Sequence, residues 1–240
     1  MSVIGADIPG ENILLGTCRS LRERFGTSAL PPLDMRLYKH VPMGSGVGAG
    51  SGNAAALIRW FERFSGESTD VSDAVAMGAD VAFLASGYDI AMAGGVGDVL
   101  ECISGGLDLA AAIFFPEWNC DTREAYKTLD SISGRIVTDE AECRDEALDV
   151  LDRLKRGERA GILPNDFIQC LKKHEMCYNI LYGIFERSGA LAWGLCGSGS
   201  ACFALYGKSE ITEVFARLSR FMREGETSRF NWITKVIFSQ

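Results

Sequence analysis

The sequence predicts an α+β protein built from two domains. At 240 residues the chain is long enough for two domains of modest size with an ample core. In its second half, predicted strands and helices alternate, which is typical of helices packed on one face of a small sheet. The adjacent glycines Gly105 and Gly106 precede this half. We therefore predict one domain over residues 1–105 and another over residues 106–240.

The composition excludes several classes of protein. Hydrophobic residues make up 47% of the chain and charged residues 23%, as in ordinary globular proteins. The formal net charge of −8 argues against a nucleic-acid partner, because phosphate backbones attract Lys and Arg. Residues 1–15 lack a basic start followed by an apolar run, so no export signal is predicted. The richest apolar stretch, residues 107–115, is too short to cross a bilayer. We expect a cytoplasmic protein with no membrane partner.

A glycine-rich loop at residues 42–56 reads PMGSGVGAGSGNAAA. Glycine reaches positive φ angles without a steric penalty, so successive backbone N–H groups can turn inward and form a concavity that binds anions. The residues that we expect to bind phosphate are Pro42, Met43, Gly44, Ser45, Gly46, Val47, Gly48, Ala49, Gly50, Ser51, Gly52 and Asn53.

The loop leads into an Ala-rich helix that we predict to start near Asn53. The first turn of a helix has unpaired N–H groups and lies at the positive end of the helix dipole. A glycine-rich turn followed by such a helix is a common way to bind phosphate. The alternative is a flexible linker, but a linker has no reason to lie between an amphipathic strand and an Ala-rich helix.

Two established nucleotide-binding motifs fit this loop poorly. A Walker A loop requires Gly-Lys followed by Ser or Thr, whereas Gly52 is followed by Asn53. The G-x-G-x-x-A variant of the dinucleotide fingerprint is present as Gly44, Gly46 and Ala49. However, the preceding strand alternates polar and apolar residues, whereas a central parallel strand is almost continuously apolar.

In the first domain, periodicity and end residues predict each element. Apolar residues at helical spacing, ended by a glycine, predict the first helix, and strict alternation predicts a half-buried strand before the loop. Paired glycines between two apolar runs predict a hairpin. In order, the elements are an irregular segment (1–10), a helix (12–25), a strand (33–38), the helix after the loop (53–64), a short helix capped by Thr69 or Ser72 that leads into residues 78–84, and a hairpin with strands 90–93 and 96–102 around Gly94 and Gly95.

In the second domain, proline, glycine and capping residues mark the boundaries. Pro116 ends an apolar strand, Asp121 or Thr122 caps the next helix, and Gly189 ends another. In order, the elements are a strand (107–115), a helix to residue 129, a loop (131–140), helices (142–155 and 166–188), a strand (191–196), a second glycine loop (Gly197, Ser198, Gly199 and Ser200), a strand (201–206), a helix (211–223) and a closing strand (232–238).

Two further sets of side chains are candidates for chemistry. Asp80 stands among small and apolar residues. It is therefore either a helix cap or a functional residue, and both interpretations stay open. Cys170, His174 and Cys177 would share one helical face, but no partner residues complete a metal site, and we expect none there. Without an export signal, the eight cysteines are expected to be reduced core residues.

Six segments carry a resemblance to a known family. They are the glycine loop, G-A-D-V at 78–81, G-G-V-G-D at 94–98, D-T-R-E-A-Y at 121–126, N-D-F at 165–167 and C-G-S-G-S-A-C at 196–202. In this order they resemble the GHMP family of small-molecule kinases, and six ordered segments are far more specific than any single one. The resemblance implies a two-domain fold, with an N-terminal part like the second domain of ribosomal protein S5, incomplete here, and a ferredoxin-like C-terminal domain.

The resemblance also implies a reaction. It implies ATP and Mg²⁺ as cofactors, with the glycine loop on the phosphates and Ser51 as a Mg²⁺ contact. It implies that Asp80 is the catalytic base for the attacking hydroxyl, and that residues 197–200 lie on the substrate side. The small-molecule substrate it implies is a cytidine diphosphate-linked methylerythritol, phosphorylated in isoprenoid precursor synthesis.

The sequence also departs from the family pattern. The family's opening section, with a catalytic lysine in A-K-x-N and a substrate-contacting G-Y/F-H segment, has no counterpart, so we expect an N-terminal domain truncated at its start. Gly52 replaces a serine and Ala82 replaces a proline. Three hypotheses stay open: an active kinase, a nucleotide-binding remnant with little activity, and a dinucleotide-binding oxidoreductase.

Overall fold

The structure is a computed structural model that describes residues 2–5, 10–132, 139–224 and 232–237. Parts of the predicted irregular start (1 and 6–9), of the predicted loop (133–138) and the end of the closing strand (238) lie outside these residues. The chain separates into two compact units, one of Met1–Val41 with Gly48–Gly105, the other of Pro42–Val47 with Gly106–Gln240. The described part contains no helix that is long and apolar enough to span a membrane.

The α+β class is confirmed in both units. The first unit contains β1 (Ser2–Ile4), α1 (Ile13–Phe25), β2 (Arg36–Tyr38), α2 (Ala49–Ser65), α3 (Val71–Met77), α4 (Ala79–Ser86), β3 (Ala91–Gly94) and β4 (Val99–Cys102). The second contains β5 (Leu109–Phe115), α5 (Thr122–Ser131), α6 (Glu140–Lys155), β6 (Gly161–Ile162), a 3-10 helix (Asp166–His174), α7 (Glu175–Arg187), β7 (Ala192–Leu195), β8 (Cys202–Gly207), α8 (Ile211–Glu224) and β9 (Trp232–Ile237).

The irregular start predicted for the chain is wrong at residues 2–4. These residues form β1, which pairs in parallel with β2 and places Val3 opposite Leu37. Three residues are too few for alternation to reveal a strand in the sequence. Behind β2, α1 and α2 share a buried apolar cluster that includes Leu14, Leu21 and Phe61. This cluster orients α2, the helix that follows the glycine loop.

The hairpin and the short helices of the first unit follow the predicted order with altered ends. β3 and β4 pair antiparallel and are joined by a turn over residues 95–98, which confirms the hairpin. The predicted caps of α3 are wrong, because Asp70 caps it in a reciprocal capping box with Asp73. Thr69 instead donates to the Glu62 carboxylate from its backbone N–H at 2.9 Å and its hydroxyl at 2.6 Å. Ser72, the other predicted cap, lies inside α3 and donates to the Asp70 carboxylate at 2.5 Å.

The second unit is organised around a five-stranded sheet in the order β6-β7-β8-β5-β9. β5 is antiparallel to both β8 and β9 and is buried along almost its whole length, as its apolar sequence predicts. Side chains of β5, α7, β8 and α8 form the largest described core cluster. The two-residue strand β6 was not predicted, because so short a strand has no periodicity.

The single helix predicted over residues 166–188 is wrong. A 3-10 segment precedes α7, and Leu171 leaves helical geometry at φ −108° and ψ 19°. Cys170, His174 and Cys177 therefore do not lie on one continuous α-helix, and the His174 ring stacks on Trp118 at 4.0 Å between centroids. Among the described residues, no group of His, Cys, Asp and Glu could hold a metal ion.

All eight cysteines lie in the described part of the chain and are free. Cys18 and Cys202 are buried, in agreement with the expected core role. Cys102 and Cys143 are exposed, so the core prediction is wrong for these two. Cys102 ends β4 and Cys143 lies on α6, two elements whose described side chains are mostly not buried. The sequence does not reveal which faces of these elements are packed.

Backbone atoms of the two glycine loops are in direct contact within the second unit. The Ser200 N–H donates to the Gly44 carbonyl at 3.1 Å, and the Ala201 N–H donates to the Ser45 carbonyl at 3.0 Å. A Cβ at Gly199 would overlap backbone atoms of Ser45 and Gly46. Only glycine permits so close an approach of two main chains. Residues 42–47 are therefore held by the second unit.

We predict that Gly199→Ala destabilises the chain by more than about 2 kcal/mol, because backbone atoms cannot move aside as a flexible side chain can. Gly106→Ala is the control, since it lies in the same unit, has no left-handed φ, and meets nothing in the described chain within 4 Å. The free energy of unfolding in urea measures both changes. Equal stability of the two variants would contradict the close backbone contact.

Candidate functional site

The glycine loop is divided between two physical roles. A Cβ at Gly44 would lie 2.5 Å from the Cys120 carbonyl, and one at Gly46 would overlap the Cys196 carbonyl. A Cβ at either of these two glycines would therefore meet the protein's own backbone. At Gly50 and Gly52, in contrast, an added Cβ meets no other described part of the chain within 4 Å. The open part of the loop starts at Gly48.

The helix after the loop begins earlier than predicted. α2 starts at Ala49, with Gly48 as its N-cap in the left-handed conformation at φ 67°. The first backbone bond of the helix runs from the Gly52 N–H to the Gly48 carbonyl at 2.8 Å. A start near Asn53 was therefore wrong, because the Gly- and Ser-rich first turn has the composition of a loop. Ala49, Gly50 and Ser51 supply N–H groups of the first turn.

No side chain in the described residues caps α2. Its first turn contains no acid, and its N-cap Gly48 has no side chain to accept a hydrogen bond. Four helices differ, since Asn or Asp side chains cap α1, α3, α5 and α6. These caps fill the acceptor position that an external anion would occupy. α4 and α7 also have no side-chain cap, but neither follows a glycine-rich loop and each has an acid in its first turn. The 17-residue helix α2 thus presents unpaired donors and the positive end of its dipole.

Asp80 lies on α4, next to the first turns of α2. Val81 and Ala82 of α4 pack against Ala54 and Ala55 of α2 in one buried cluster. Asp80 itself is exposed and is not the cap of α4, since Gly78 occupies that position. This removes the capping interpretation of Asp80.

Two contacts that the sequence did not predict hold α4 in place. The Arg59 guanidinium, on α2, donates to the carbonyl of Leu84 near the end of α4. At the other end, a Cβ at Gly97 would lie 3.0 Å from the Ala79 carbonyl, so the hairpin turn lies directly against the start of α4. The carboxylate of Asp98 accepts from the Val96 N–H at 3.0 Å and braces this turn. The G-G-V-G-D segment thus supports the helix that carries Asp80.

The second glycine loop has an open half and a buried half. Gly197 is exposed and Ser198 half-buried, whereas Gly199 and Ser200 are buried against the first loop. The Asn165 side chain donates to the Gly197 carbonyl at 3.0 Å and to the Leu195 carbonyl at 3.2 Å. Asn165 also caps the 3-10 helix by accepting from the Phe167 N–H. The N-D-F segment therefore fixes the course of the second glycine loop.

Comparison with known proteins identifies the family. The family model described as the GHMP kinases N-terminal domain matches residues 12–113, and the GHMP kinases C-terminal model matches residues 175–224. A protein of Chlorobium luteolum named 4-diphosphocytidyl-2-C-methyl-D-erythritol kinase is 31% identical over 212 residues, covering 86% of this chain and 72% of that protein. The enzyme of the same name from Porphyromonas gingivalis is 29% identical, covering 85% of this chain and 74% of its own.

Solved structures agree in fold. A crystal structure of 4-(cytidine 5'-diphospho)-2C-methyl-D-erythritol kinase matches with a TM-score of 0.71 at 23% identity, covering 99% of this chain and 83% of that one. Homoserine kinase from Cytophaga hutchinsonii matches with a TM-score of 0.61 at 17% identity, covering 99% and 80%. The chain belongs to the GHMP family of small-molecule kinases.

Proposed function

We propose that this kinase transfers a phosphoryl group from ATP to a hydroxyl of 4-diphosphocytidyl-2-C-methyl-D-erythritol. The relatives that carry this enzyme's name support the choice of substrate. The single observation that supports nucleotide binding is the uncapped start of α2 after Gly48, since open N–H groups at a helix N-terminus bind phosphate. Phosphoryl transfer requires mainly positioning and charge stabilisation, which this arrangement can supply.

Within the loop we assign separate roles to its two parts. The backbone N–H groups of Gly48, Ala49, Gly50 and Ser51 contact the phosphates. Gly52, whose N–H donates to the Gly48 carbonyl, and Asn53 follow them in α2 and support this turn. Residues 42–47 hold the course of the chain that enters α2, because Gly44 and Ser45 are bound to the second glycine loop. On the substrate side, we assign the ligand contacts of the second loop to Gly197 and Ser198, its open residues.

Asp80 is the proposed catalytic base. Its carboxylate is exposed on α4, and α4 packs on the same turns of α2 that follow the phosphate-binding amides. A carboxylate in this position can accept the proton of a substrate hydroxyl as that oxygen attacks the γ-phosphorus of ATP. The bond from this phosphorus to the oxygen that bridges it to the β-phosphate breaks, and ADP leaves. Such general-base assistance contributes roughly 10²–10⁴-fold to the rate.

Mg²⁺ fits this site as an ion that is bound together with ATP. The first turn of α2 offers the Ser51 hydroxyl and no carboxylate, which is too few ligands for a protein-built cage. Mg²⁺ in phosphoryl-transfer sites is held largely by waters and substrate phosphates, so one hydroxyl is compatible. Ser51 would hold the ion, which neutralises charge on the phosphate oxygens.

We predict that ATP with Mg²⁺ raises the melting temperature of the chain, whereas NAD at the same concentration does not. A ligand that binds only the folded state stabilises it by about 2.7 kcal/mol at a hundred times its dissociation constant. Thermal denaturation followed by circular dichroism measures the shift. Stabilisation by NAD without stabilisation by ATP would favour the oxidoreductase hypothesis.

Gly48→Val should weaken ATP binding at least about tenfold, equivalent to about 1.4 kcal/mol. The branched side chain would crowd the open N–H groups. Gly66→Val is a matched control, since Gly66 ends the same helix at φ 75° and bears the same backbone strain away from the proposed phosphate site. Isothermal titration calorimetry gives both affinities. Equal affinities would exclude Gly48 from the phosphate site.

Asp80→Asn should leave ATP affinity unchanged and lower kcat by about 10²-fold or more, since the amide cannot accept a proton. Asp73→Asn is the control, because the Asp73 carboxylate binds Arg24 at 2.9 Å and accepts from the Asp70 N–H in the capping box of α3. This structural role affects stability rather than kcat. Steady-state kinetics with the cytidine diphosphate-linked substrate measure both. Near-parental turnover of Asp80→Asn would remove Asp80 from the mechanism.

A further inference from the structure

A chain of hydrogen bonds runs from the core of the second unit to the first glycine loop. The Trp118 indole N–H donates to the Tyr178 hydroxyl at 3.0 Å, and that hydroxyl donates to the Ser200 carbonyl at 2.9 Å. The directions follow from the groups themselves, because an indole nitrogen can only donate and a carbonyl can only accept. The Tyr178 proton therefore points at the second glycine loop.

The next link is the peptide group between Ser200 and Ala201. Its carbonyl accepts from Tyr178, and its N–H donates to the Ser45 carbonyl at 3.0 Å. This peptide plane is thus held at both ends, once by the core and once by the first glycine loop. In a chain in which every group donates onward, each bond polarises the next. The Tyr178 hydroxyl therefore strengthens the bond that holds Ser45.

The residues that form these hydrogen bonds are buried, which raises the cost of losing a bond. Tyr178 is 1% exposed, Ser200 2% and Ser45 4%, so water does not readily replace a missing partner. Burial also raises the pKa of Tyr178 far above its usual range, so the hydroxyl keeps its proton at physiological pH. A buried carbonyl that loses its donor carries an uncompensated desolvation penalty. Without the Tyr178 hydroxyl, we expect the Ser200–Ala201 peptide to rotate toward another donor and to lose its hydrogen bond to the Ser45 carbonyl.

We propose that Tyr178 is a positioning residue for nucleotide binding, acting through the Ser200 peptide on Ser45 and hence on the loop that enters α2. The proposal rests on the proposed function, because it assigns Tyr178 an effect on ATP affinity. It goes beyond that function in giving a buried core tyrosine control over the loop conformation.

Tyr206 provides a matched control for a merely structural role. It is fully buried in the same core cluster, and its hydroxyl is bonded to Ser188 at 2.8 Å. Ser188 is the C-cap of α7, and its hydroxyl also donates to the Phe185 carbonyl at 2.9 Å. Tyr178→Phe and Tyr206→Phe each remove one buried hydroxyl from one core. The Tyr178 hydroxyl bonds to Trp118 and Ser200, whereas the Tyr206 hydroxyl bonds to Ser188, so Tyr178→Phe should lower the unfolding free energy more. The effect on the glycine loop should be confined to Tyr178→Phe.

The experiment measures ATP affinity and amide hydrogen exchange in both variants of the full chain. In Tyr178→Phe, we expect the dissociation constant of Mg-ATP to rise about fivefold to tenfold and the Ala201 amide to exchange about tenfold faster, as expected for loss of one buried hydrogen bond. In Tyr206→Phe, both quantities should stay within about twofold of the parent. Trp118→Phe, which keeps an aromatic ring beside His174 but removes the indole donor, should change both in the same direction by less.

Equal changes in Tyr178→Phe and Tyr206→Phe would overturn the proposal, since they would show a general loss of core stability. If Tyr178→Phe does not fold, Trp118→Phe decides by the same two measurements, and an unchanged Ala201 exchange rate would count against the link. If the unmodified chain binds no ATP, the proposed function fails, whereas amide exchange at Ala201 still reports whether Tyr178 controls the loop.

Discussion

The close approach of two glycine-containing backbones is the constraint on which the second unit depends. Gly199 lies so near to Ser45 and Gly46 that no side chain fits between them. Because the main chains meet directly, the Ser200 and Ala201 amides can pair with the Gly44 and Ser45 carbonyls. Asn165 and Tyr178 then hold the second loop from its other side. The second glycine loop is therefore held from two sides.

This arrangement explains why the glycine loop is richer in glycine than phosphate binding requires. Positions 44 and 46 require glycine because protein backbone lies where a Cβ would be. Position 48 favours glycine because the residue before α2 is in the left-handed conformation. The two causes differ physically, although the alternating pattern in the sequence makes them look like one feature. A substitution at Gly46 is therefore expected to affect folding first, and one at Gly48 to affect the ligand first.

The N-terminal ends of the helices also differ in how their N–H groups are satisfied. In α1, α3, α5 and α6, an Asn or Asp side chain accepts from a first-turn N–H group, as Asn12 does for α1 and Asp121 for α5. α2 leaves these donors open, which costs the free chain intramolecular hydrogen bonds and leaves room for an anion. The uncapped helix start and the exposed Asp80 lie on packed helices rather than on long loops. Their relative placement is therefore set by the apolar cluster beneath them.

The sequence by itself determined the features that depend on local chemistry. Alternating glycines predicted the phosphate-binding loop, and paired glycines predicted the hairpin. Asp121 indicated the start of a helix, and six ordered segments indicated the family. Only the tertiary structure decided what depends on distant partners. Examples are the pairing of β1 with β2 and the break at Leu171. The link from Tyr178 to Ser45 joins residues far apart in the chain, and no local pattern predicts a hydrogen bond between distant groups.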